Sequence, residues 1–557
     1  MKTVQLFFIL CTIAIACNKG EDLPDPPTPP PPPPNFVRKS STVNDQPTSA
    51  TMAGLNTTPV FRFSFSSRIQ SSTAGSSFIF RDKEGVNVNA NFSLANNDST
   101  LVIQPVQPLQ NLQSYQLSIA TSLKSQENVA LNAAHTVLFV TRMDSSRKFP
   151  VISDDALLTK VQQQTFRYFW DFAHPVSGLA RERSNGDNNL VTTGGSGFGV
   201  MALIVGIERG FITRAEGLAQ MKKIVSFLKN TAQKFHGAFP HWLDGTTGVV
   251  KPFSAKDNGA DIVETSLLLQ GLLTARQYFN NAVADEINLK ADINTIWNNV
   301  EWDWFRQNNQ NVLYWHWSPN FNWEMNHQIK GWNECLITYV LAASSTTHGI
   351  PKIVYDNGWA TNGAIVKNNN HYGFPLPLGP TLGGPLFFSH YSFLGIDPNG
   401  LSDAYANYET QNKNHALINY TYCKTNPANK YGYSDSVWGL TASDIMNGYS
   451  ASSPTNDLGV IAPTAALSSF PYTPTQSMQA LKFYYYVLGD KIWKEYGFVD
   501  AFSLQNAWFA PSHLAIDQGP IIVMIENYRT GLLWDLFTSC PEVKAGMNLL
   551  GFNAPYL

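Results

Sequence analysis

The stretch DNGADIVETSLLLQGLL, residues 257–273, predicts an apolar helix with three acidic residues at its entrance. Asp257, Asp261 and Glu264 are spaced four and three residues apart. This spacing places the three carboxylates on one face of the helix, or at its mouth if Asp257 lies outside it. We therefore expect them to share one polar pocket, in which they are candidate catalytic residues.

A further acid, Glu334, opens the second apolar segment, ECLITYVLAAS. Trp332 lies just before it, and Leu336, Ile337 and Val340 are its core-facing positions. A lone acid that enters an apolar helix beside an indole is placed to have its pKa raised by desolvation. Glycoside hydrolysis requires two such differently tuned acids, because one carboxyl must be protonated and another ionised at the same pH.

A structural role is the alternative for these acids. Asp261 and Glu264 resemble a capping box, and an acid in the first turn stabilises a helix by about 0.3–1 kcal/mol. Charged residues make up only 14% of the chain, so three acids and Lys256 within nine residues are a local excess. This excess favours a functional role.

Composition predicts a globular protein of more than one domain that binds an uncharged ligand. The chain has 557 residues, of which 43% are hydrophobic and 13% aromatic. Many of the rings fall in Gly-, Asn- and Pro-rich loops, where they are typical stacking platforms for sugars. The net charge of −3 offers no basic surface for nucleic acid. We expect a monomer.

The cysteines and histidines predict neither a metal nor a cofactor. Cys335, Cys423 and Cys540 are widely spaced, which gives no disulfide framework and no metal knuckle. The sequence contains neither an HExxH nor a CxxC motif.

The N-terminus predicts export and a lipid anchor. Lys2 precedes the apolar run LFFILCTIAIA, so residues 1–16 are predicted as a signal peptide. Small residues before Cys17 resemble a bacterial lipobox, which implies cleavage before Cys17, its acylation and attachment to the outer membrane by lipid. The protein is then expected in the cell envelope, on the surface or the periplasmic face. Residues 17–34 end in a polyproline stretch that predicts an extended stalk.

Two folded domains are predicted beyond the stalk. Residues 35–145 contain short alternating runs such as VFRFSFS, TLVIQPV and HTVLFVT, which are typical of a β-sandwich. They resemble the bacterial Ig-like domain, for which a spacer role is favoured over glycan binding. Residues 150–557 contain about ten to twelve helical segments, some of them apolar on all sides. The protein is therefore predicted to be mainly α, with an (α/α)6 barrel as the catalytic domain. A helical solenoid is the alternative, but no fixed-period repeat is present.

A series of motifs in residues 150–557 carries a specific family resemblance: GLARERSN at 178–185, TGGSGFGVMAL at 193–203, FPHWLDGTTG at 239–248, DNGADIVETSLLLQGLL at 257–273, KGWNECLITYVLAAS at 330–344, SHYSFLGIDP at 389–398, WGLTASD at 438–444, APTAALSSFPYTP at 462–474 and DQGPIIVMIENYRTGLLW at 517–534. Together they resemble the glucoamylase-like family, and within it the bacterial endo-β-1,2-glucanases of glycoside hydrolase family 144.

The resemblance implies an (α/α)6 barrel, hydrolysis with inversion and β-1,2-glucan as substrate. Glu334 matches the proposed general acid of the family, and Asp257, Asp261 and Glu264 match acids that line its cleft. An inverting enzyme needs a base carboxylate about 6.5–9.5 Å from the acid. Asp261 is the first candidate base and Asp257 the second, while Asp517 and Glu526 are outside candidates.

Substrate contacts are expected from rings and polar groups within these motifs. A ring offers an apolar face to the C–H face of a sugar, although each ring has a core role as its alternative. For the polar groups the alternatives are a solvated ion pair with Glu182, a satisfied loop histidine, or a buried ion pair between Glu526 and Arg529. The predicted contacts are Trp242, Trp317, Trp323, Trp332, Tyr391, Trp438, Trp508, Arg181, Arg183, His241, His390, Asp517, Glu526 and Arg529.

The leading hypothesis is a lipid-anchored endo-acting glycosidase that cleaves β-1,2-glucan. An exo-acting relative that releases sophorose, or one that acts on another β-glucan, is the alternative within the class. Loops 318–332 and 372–390 would decide between endo and exo action by closing one end of the cleft. The hypothesis from another class is a non-catalytic surface lipoprotein that captures glycan. A lyase is a weaker option, because it would need an acidic polymer.

Overall fold

The computed structural model describes residues 35–49 and 51–557. The predicted signal peptide, Cys17 and the stalk up to residue 34 lie outside the described residues.

Residues 38–141 form two β-sheets that pack against each other. One sheet has the order β2-β1-β4-β7-β6 and the other β3-β9-β8-β5. Inward-facing rings join them, and the centroids of Phe61 and Phe139 lie 5.2 Å apart across the two sheets. The strands are β1 Arg38–Val43, β2 Gln46–Pro47, β3 Thr51–Leu55, β4 Phe61–Phe65, β5 Phe78–Asp82, β6 Ala90–Ala95, β7 Thr100–Pro105, β8 Ser114–Ile119 and β9 His135–Thr141, with the short helix α1 Ser71–Ala74 between β4 and β5.

The rest of the described chain is mainly helical. Its α-helices are α2 Asp154–Trp170, α3 Thr193–Glu208, α4 Arg214–Asn230, α5 Ile262–Tyr278, α6 Ala284–Asn298, α7 Leu336–Ser344, α8 Lys352–Val354, α9 Tyr408–Thr425, α10 Pro463–Leu467, α11 Pro474–Tyr486, α12 Gly489–Ile492, α13 Ala515–Thr530, α14 Leu532–Thr538 and α15 Pro541–Leu550. Short 3₁₀ turns cover Trp302–Arg306, Thr361–Gly363, Thr381–Gly383, Leu386–Ser389 and Ser392–Leu394, and a π turn covers Tyr355–Trp359.

Small antiparallel strand pairs lie between these helices. They are β10 Leu190–Thr192, β11 Trp242–Asp244, β12 Val250–Lys251, β13 Ala260–Asp261, β14 His316–Trp317, β15 Val366–His371, β16 Phe374–Leu378, β17 Ala442–Ile445, β18 Gly448–Ala451, β19 Trp493–Lys494, β20 Gly497–Phe498, β21 Phe502–Ser503 and β22 Trp508–Phe509. The protein is thus mainly α with a β-rich N-terminal domain, as the sequence predicts.

Helices α3, α5, α7 and α13 form the interior. Nearly every residue of α3 and α5 is buried, so these helices are apolar on all sides. α3 and α5 approach each other closely, because a Cβ on Gly197 would lie 2.2 Å from the carbonyl oxygen of Leu267. A Cβ on Gly271 would similarly lie 2.1 Å from the carbonyl oxygen of Gly197. Only glycine fits at this crossing.

The buried helices bring their N-terminal ends to one place. α3 begins at Thr193, because the glycine-rich stretch before its apolar residues is itself helical. α5 begins at Ile262 and α13 at Ala515. Glu334 lies in the turn before α7. Among the described helices, none combines the length and the apolar character that crossing a membrane would take.

Candidate active site

A cavity of about 440 Å³ lies where these helix ends meet. Its lining includes three carboxyls, a histidine, an arginine and several rings. The lining residues are Glu182, Arg183, Thr192, His241, Trp242, Phe253, Val263, Glu264, Leu267, Trp315, Glu334, Phe387, Tyr391, Ala442, Tyr449, Ala451, Leu514 and Ile516.

Glu334 is the acid with the environment of a proton donor. It lies in the turn just before α7, where the hydroxyl of Ser392 donates a hydrogen bond to its carbonyl oxygen. Burial is the main cause that raises the pKa of its carboxyl to about 7, and the charges of Glu264 and Asp261 add to the rise. At neutral pH a much larger fraction of this carboxyl is therefore protonated than of an ordinary glutamate carboxyl.

Asp261 is held as an ion by several donors. As the N-cap of α5, its Oδ1 accepts hydrogen bonds from the backbone N–H groups of Val263 at 3.0 Å and Glu264 at 2.9 Å. Its Oδ2 lies 3.3 Å from Nδ1 of His241 and 3.2 Å from Nε1 of Trp315. Burial alone would raise the pKa of Asp261, but the bonds from His241 and His316 outweigh it and lower the pKa. Asp261 is thus both a helix cap and a buried anion.

His241 carries the positive charge of the site. Its Nδ1 faces Asp261, and its Nε2 lies 3.9 Å from Oε1 of Glu264. Burial alone would lower the pKa of this imidazole, but Glu264, Asp261 and Asp257 outweigh it and raise the pKa to about 9. The sequence predicts His241 as a ligand for sugar hydroxyls, whereas the geometry makes it an imidazolium between two carboxylates.

Glu264 faces the cavity from the first turn of α5. Its Oε2 accepts a hydrogen bond of 2.7 Å from the backbone N–H of Gly194, at the beginning of α3. The N-terminal end of a helix favours a negative charge at this position. Burial nevertheless raises the pKa of Glu264, while the charge of His241 opposes the rise.

Asp257 lies before the helix, in a turn beside β13. It is 3% exposed, and its Oδ2 lies 3.4 Å from Nε2 of His316. Burial, followed by the charge of Asp261, raises its pKa to about 6. Its other oxygen has no hydrogen-bond partner among the described residues. The three acids of the opening stretch are therefore together, as their spacing predicts, but each has a different environment.

The polar wall formed by Glu182 and Arg183 completes the cavity. Nε of Arg183 lies 2.8 Å from Glu182, and its Nη1 donates to both oxygens of Asp444 at 3.1 and 3.2 Å. The hairpin of β17 and β18 adds Tyr449 to the lining.

Aromatic rings form part of the cavity lining. Phe253, which is half exposed, stacks on His241 with ring centroids 4.2 Å apart and lies 4.8 Å from Trp242. Phe387 and Tyr391 lie 5.1 Å apart in the same lining. These rings offer apolar faces to a sugar chain.

Several predicted rings lie in the core instead. Trp332, Trp438 and His390 are buried. Trp332 packs against Trp359, and Nε2 of His390 pairs with the hydroxyl of Ser469 at 3.0 Å. These side chains are packed in the core and are absent from the cavity lining, so the geometry gives them no contact with a ligand in the cavity.

Three other predicted tryptophans also lie outside the cavity lining. Trp317 and Trp323 belong to a cluster around Trp304, at centroid distances of 6.4 and 6.2 Å. Trp508 packs on a small separate core that contains Val460.

Four predicted polar contacts lie outside the cavity lining. Arg181 donates to the carbonyl oxygens of Asn188 and Phe172. Asp517 is buried behind the Arg183 wall. Glu526 forms a buried ion pair, but its partner is Arg209 at 2.7 Å and not Arg529.

Arg529 binds Asp155 at 2.7 Å instead. It lines a larger open groove of about 1070 Å³, together with Arg209 and Lys482. α3 and α13 both begin at the cavity and end at this groove, and a helix of 16 residues spans roughly 24 Å. Each charged group of the groove has an ion-pair partner, so no chemistry is evident there.

Several cavity residues were not predicted from the sequence. Glu182, Phe253, Phe387 and Tyr449 come from loops and a hairpin far apart in the chain. His316 contacts Asp257 and Asp261, and the run YWHW at 314–317 was a signal for it, because this run places a histidine between two tryptophans.

His241, Asp257 and Asp261 have donor atoms that could form a cation site. Donor atoms of His241, Asp257 and Asp261 lie within 4.8 Å of one another. A divalent cation would have to displace the proton of His241, whose pKa is about 9. The proton already supplies the positive charge that the carboxylates need.

Comparison with known proteins places the chain in a family. The Glycoamylase family model matches residues 326–541, and the bacterial Ig-like domain model matches residues 39–141. An endo-β-1,2-glucanase from Chitinophaga pinensis, solved in complex with sophorotriose and glucose, is 57% identical. It covers 73% of this chain and 100% of its own, with a TM-score of 0.72. The chain thus belongs to the glucoamylase-like family related to the endo-β-1,2-glucanases, and it carries an N-terminal Ig-like domain.

Two relatives come from Parabacteroides distasonis. The exo β-1,2-glucooligosaccharide sophorohydrolase is 49% identical over 424 residues, which are 72% of this chain. The match spans only 58% of that protein's length. The solved structure of a β-1,2-glucanase is 39% identical and covers 93% of this chain and 73% of its own, with a TM-score of 0.70.

Proposed function

We propose that this protein is a glycoside hydrolase that cleaves β-1,2-glucan by an endo-acting, inverting mechanism. One observation carries the proposal: Glu334 and Glu264 line the same cavity, and their environments differ. Burial raises the pKa of Glu334 to about 7, whereas at Glu264 an imidazolium and a helix N-terminus oppose the effect of burial on the pKa. We infer β-1,2-glucan as the substrate from the names of the relatives.

Glu334 acts as the general acid. With a pKa of about 7, the carboxyl is about half protonated in neutral solution and can give its proton to the glycosidic oxygen as the bond breaks. Matching the pKa of the acid to the working pH maximises this transfer.

Glu264 is the proposed acceptor of the proton from water. Asp261, the first candidate from the sequence, has both oxygens occupied by N–H donors, so it has little capacity to accept another proton. Glu526 lies at the far end of α13 in an ion pair. Asp257 is close to the site but absent from the lining of the cavity. The negative charge of Asp261 and the positive charge of His241 then offset each other within the site.

Azide rescue tests this assignment. In Glu264→Ala, azide should take the place of the activated water, restore cleavage and give a glycosyl azide with inverted configuration. Asp261→Ala is the matched control and should not be rescued. Rescue of Asp257→Ala instead of Glu264→Ala would transfer the role to Asp257.

The interior helices support a finer description of the fold. α3, α5, α7 and α13 are buried, whereas α2, α4 and α6 each keep an exposed face. This division fits the inner and outer rings of an (α/α)6 barrel.

Exo action with release of sophorose is the alternative for the same chemistry. The match to the endo-acting relative covers 100% of that relative's chain, whereas the match to the exo-acting relative covers 58% of that relative's length. This difference favours endo action. Product sizes from long β-1,2-glucan decide between them: a spread of oligosaccharides supports endo action and disaccharide alone supports exo action. A glycan-capture protein would bind the polymer and leave it intact.

The export segment adds a proposed location. Acylation of Cys17 would tether a monomer to the outer membrane of the cell envelope, facing outward or toward the periplasm. Labelling cells with radioactive palmitate tests it, because the label should enter the wild-type protein and be lost in Cys17→Ala. Protease added to intact cells would distinguish the two faces.

A further inference from the structure

Three buried carboxyls stand behind the Arg183 wall of the cavity. Asp500 and Asp517 are each 2% exposed, and Asp444 is 8% exposed. The carboxylate of Asp444 accepts from Nη1 of Arg183 and, at 2.5 Å, from the hydroxyl of Ser512. Neither Asp444 nor Asp500 belongs to the acids of the proposed mechanism.

Asp500 supports the cavity wall through Asp444. Its Oδ2 accepts a hydrogen bond of 2.6 Å from the backbone N–H of Asp444, in β17. The carboxylate of Asp444 in turn fixes the guanidinium of Arg183, which lines the cavity. β17 is also the first strand of the hairpin that carries Tyr449. The hydrogen bond from Asp444 to Asp500 therefore helps to position both Arg183 and Tyr449 in the cavity lining.

Asp500 and Asp517 are neighbouring buried carboxyls with one unsatisfied oxygen each. They are close enough for the charge of Asp500 to raise the pKa of Asp517. Oδ1 of Asp500 and Oδ2 of Asp517 are buried and have no hydrogen-bond partner among the described residues. Two ionised carboxylates so close together would repel each other, and a single proton between them would satisfy both oxygens.

The surroundings also favour a retained proton. Arg183 is already paired with two carboxylates, Glu182 and Asp444, so it leaves the charge of Asp500 and Asp517 uncompensated. Burial, followed by the charge of Asp444, raises the pKa of Asp500 to about 7. Burial and the charge of Asp500 raise the pKa of Asp517 well above its usual value.

We propose that Asp500 and Asp517 hold one proton between them and that this pair makes Asp500 a positioning residue, which fixes Asp444 and thereby Arg183 at the cavity wall. The inference rests on the proposed function, because Arg183 is useful there as a donor to sugar hydroxyls. Loss of the proton above neutral pH leaves two adjacent buried anions, which loosens the wall.

Few other groups facing the pair change charge near neutral pH. The facing groups are Asp444, Arg183, Glu182, Tyr168, Tyr391, Tyr449 and His513. Burial is the main cause that raises the pKa of Tyr168 and Tyr391 well above the usual value. Tyr449 is half exposed, and the ordinary tyrosine pKa of about 10 already keeps it neutral near pH 7. Burial lowers the pKa of His513 to about 4, so it is neutral there. A change in the position of Arg183 near pH 7 is therefore caused by loss of the proton that Asp500 and Asp517 share.

Infrared spectroscopy of the full protein, labelled with carbon-13 at aspartate carboxyls, tests the pair without substrate. Relative to the pair variants, wild type should show additional protonated-carboxyl intensity at pH 6 that disappears by pH 9. Other aspartates, such as Asp257 with its pKa of about 6, contribute equally to all of these proteins. Asp500→Asn should lack the additional intensity, because its amide donates to Asp517 and leaves that residue ionised. Asp517→Asn should lack it too, which keeps the test valid if one variant misfolds. Asp244→Asn is the control and should keep it, since hydrogen bonds lower the pKa of Asp244 and leave it ionised. Intensity equal to that of wild type in both pair variants would overturn the shared proton.

The pH profile of kcat/KM on β-1,2-glucan oligosaccharides tests the positioning role. The alkaline limb should lose two protons in wild type, from Glu334 and the pair, but one in Asp500→Asn. Asp500→Ala, which removes the acceptor for the N–H of Asp444, should lower kcat/KM by about 10²-fold through misplacement of Arg183. A two-proton limb in Asp500→Asn would refute the positioning role even if the band is lost. If wild type cleaves no β-1,2-glucan, the proposed function fails, while the infrared result still decides whether the pair exists.

Discussion

His241 is expected to stabilise the protein in a way that depends on pH. Its pKa of about 9 lies above the ordinary value of 6.5, because Glu264 and Asp261 outweigh the effect of burial. The difference of 2.5 units corresponds to about 3.4 kcal/mol, at about 1.36 kcal/mol per unit. Since the folded pKa is the higher one, this stabilisation is fully present below pH 6.5 and is lost as the pH rises through 9.

The test compares His241→Gln with wild type. Urea unfolding followed by tryptophan fluorescence gives the free energy of unfolding of both proteins at pH 6 and pH 9.5. The destabilisation caused by the substitution should be about 3 kcal/mol larger at pH 6 than at pH 9.5.

His390→Gln is the matched control. Burial is the main cause that lowers the pKa of His390 to about 3, so its imidazole is neutral at both pH values. The unfolded chain still takes up a proton on this histidine at pH 6, so its substitution should cost about 0.8 kcal/mol less at pH 6 than at pH 9.5. This pH dependence has the opposite sign to that expected for His241→Gln. If His241→Gln shows equal costs, or costs less at pH 6, His241 is neutral in the folded protein, and the account of a charged imidazole between two carboxylates is refuted.

Three further predictions concern the acid, the interior helices and the far end of the fold. The kcat of wild type should fall above pH 7 as Glu334 loses its proton; a kcat that stays flat to pH 9 would argue against this acid. Gly197→Val should prevent folding, because a Cβ there meets the carbonyl oxygen of Leu267 at 2.2 Å, and normal melting of this variant would show that the crossing can relax. Arg209→Met should lower the free energy of unfolding by about 3–5 kcal/mol, because it leaves Glu526 buried without its cation, while KM stays unchanged. A changed KM would connect this ion pair to the cavity.

Much of the helical architecture could be predicted from local pattern. The continuous apolar positions of α5 predicted a buried helix, and it extends from Ile262 to Tyr278. The start of α3 was harder, because glycines such as Gly194 and Gly197 have low helix propensity and indicate a loop. Close packing against α5 overrides that propensity, and this contact joins segments about seventy residues apart. No local pattern contains it.

Part of the site could also be predicted from local sequence pattern. The spacing of Asp257, Asp261 and Glu264 indicated one pocket, since all three belong to the entrance of a single helix. The charge of His241 was not predictable, because it arises from carboxylates brought in by α5 across the chain. Tyr449 was missed because its hairpin reaches the cavity only through tertiary packing. Distinguishing a core tryptophan from one that lines a cavity requires the same long-range information.

The most direct test of the account is the digestion of linear β-1,2-glucan by wild type and Glu334→Gln, followed by reducing ends and product sizes. Wild type should give a spread of short oligosaccharides, and the variant should keep its fold by circular dichroism while losing about 10²–10⁴-fold in turnover. Near wild-type turnover by Glu334→Gln would contradict the assignment of the acid. An intact polymer that binds to wild type would contradict the glycosidase itself.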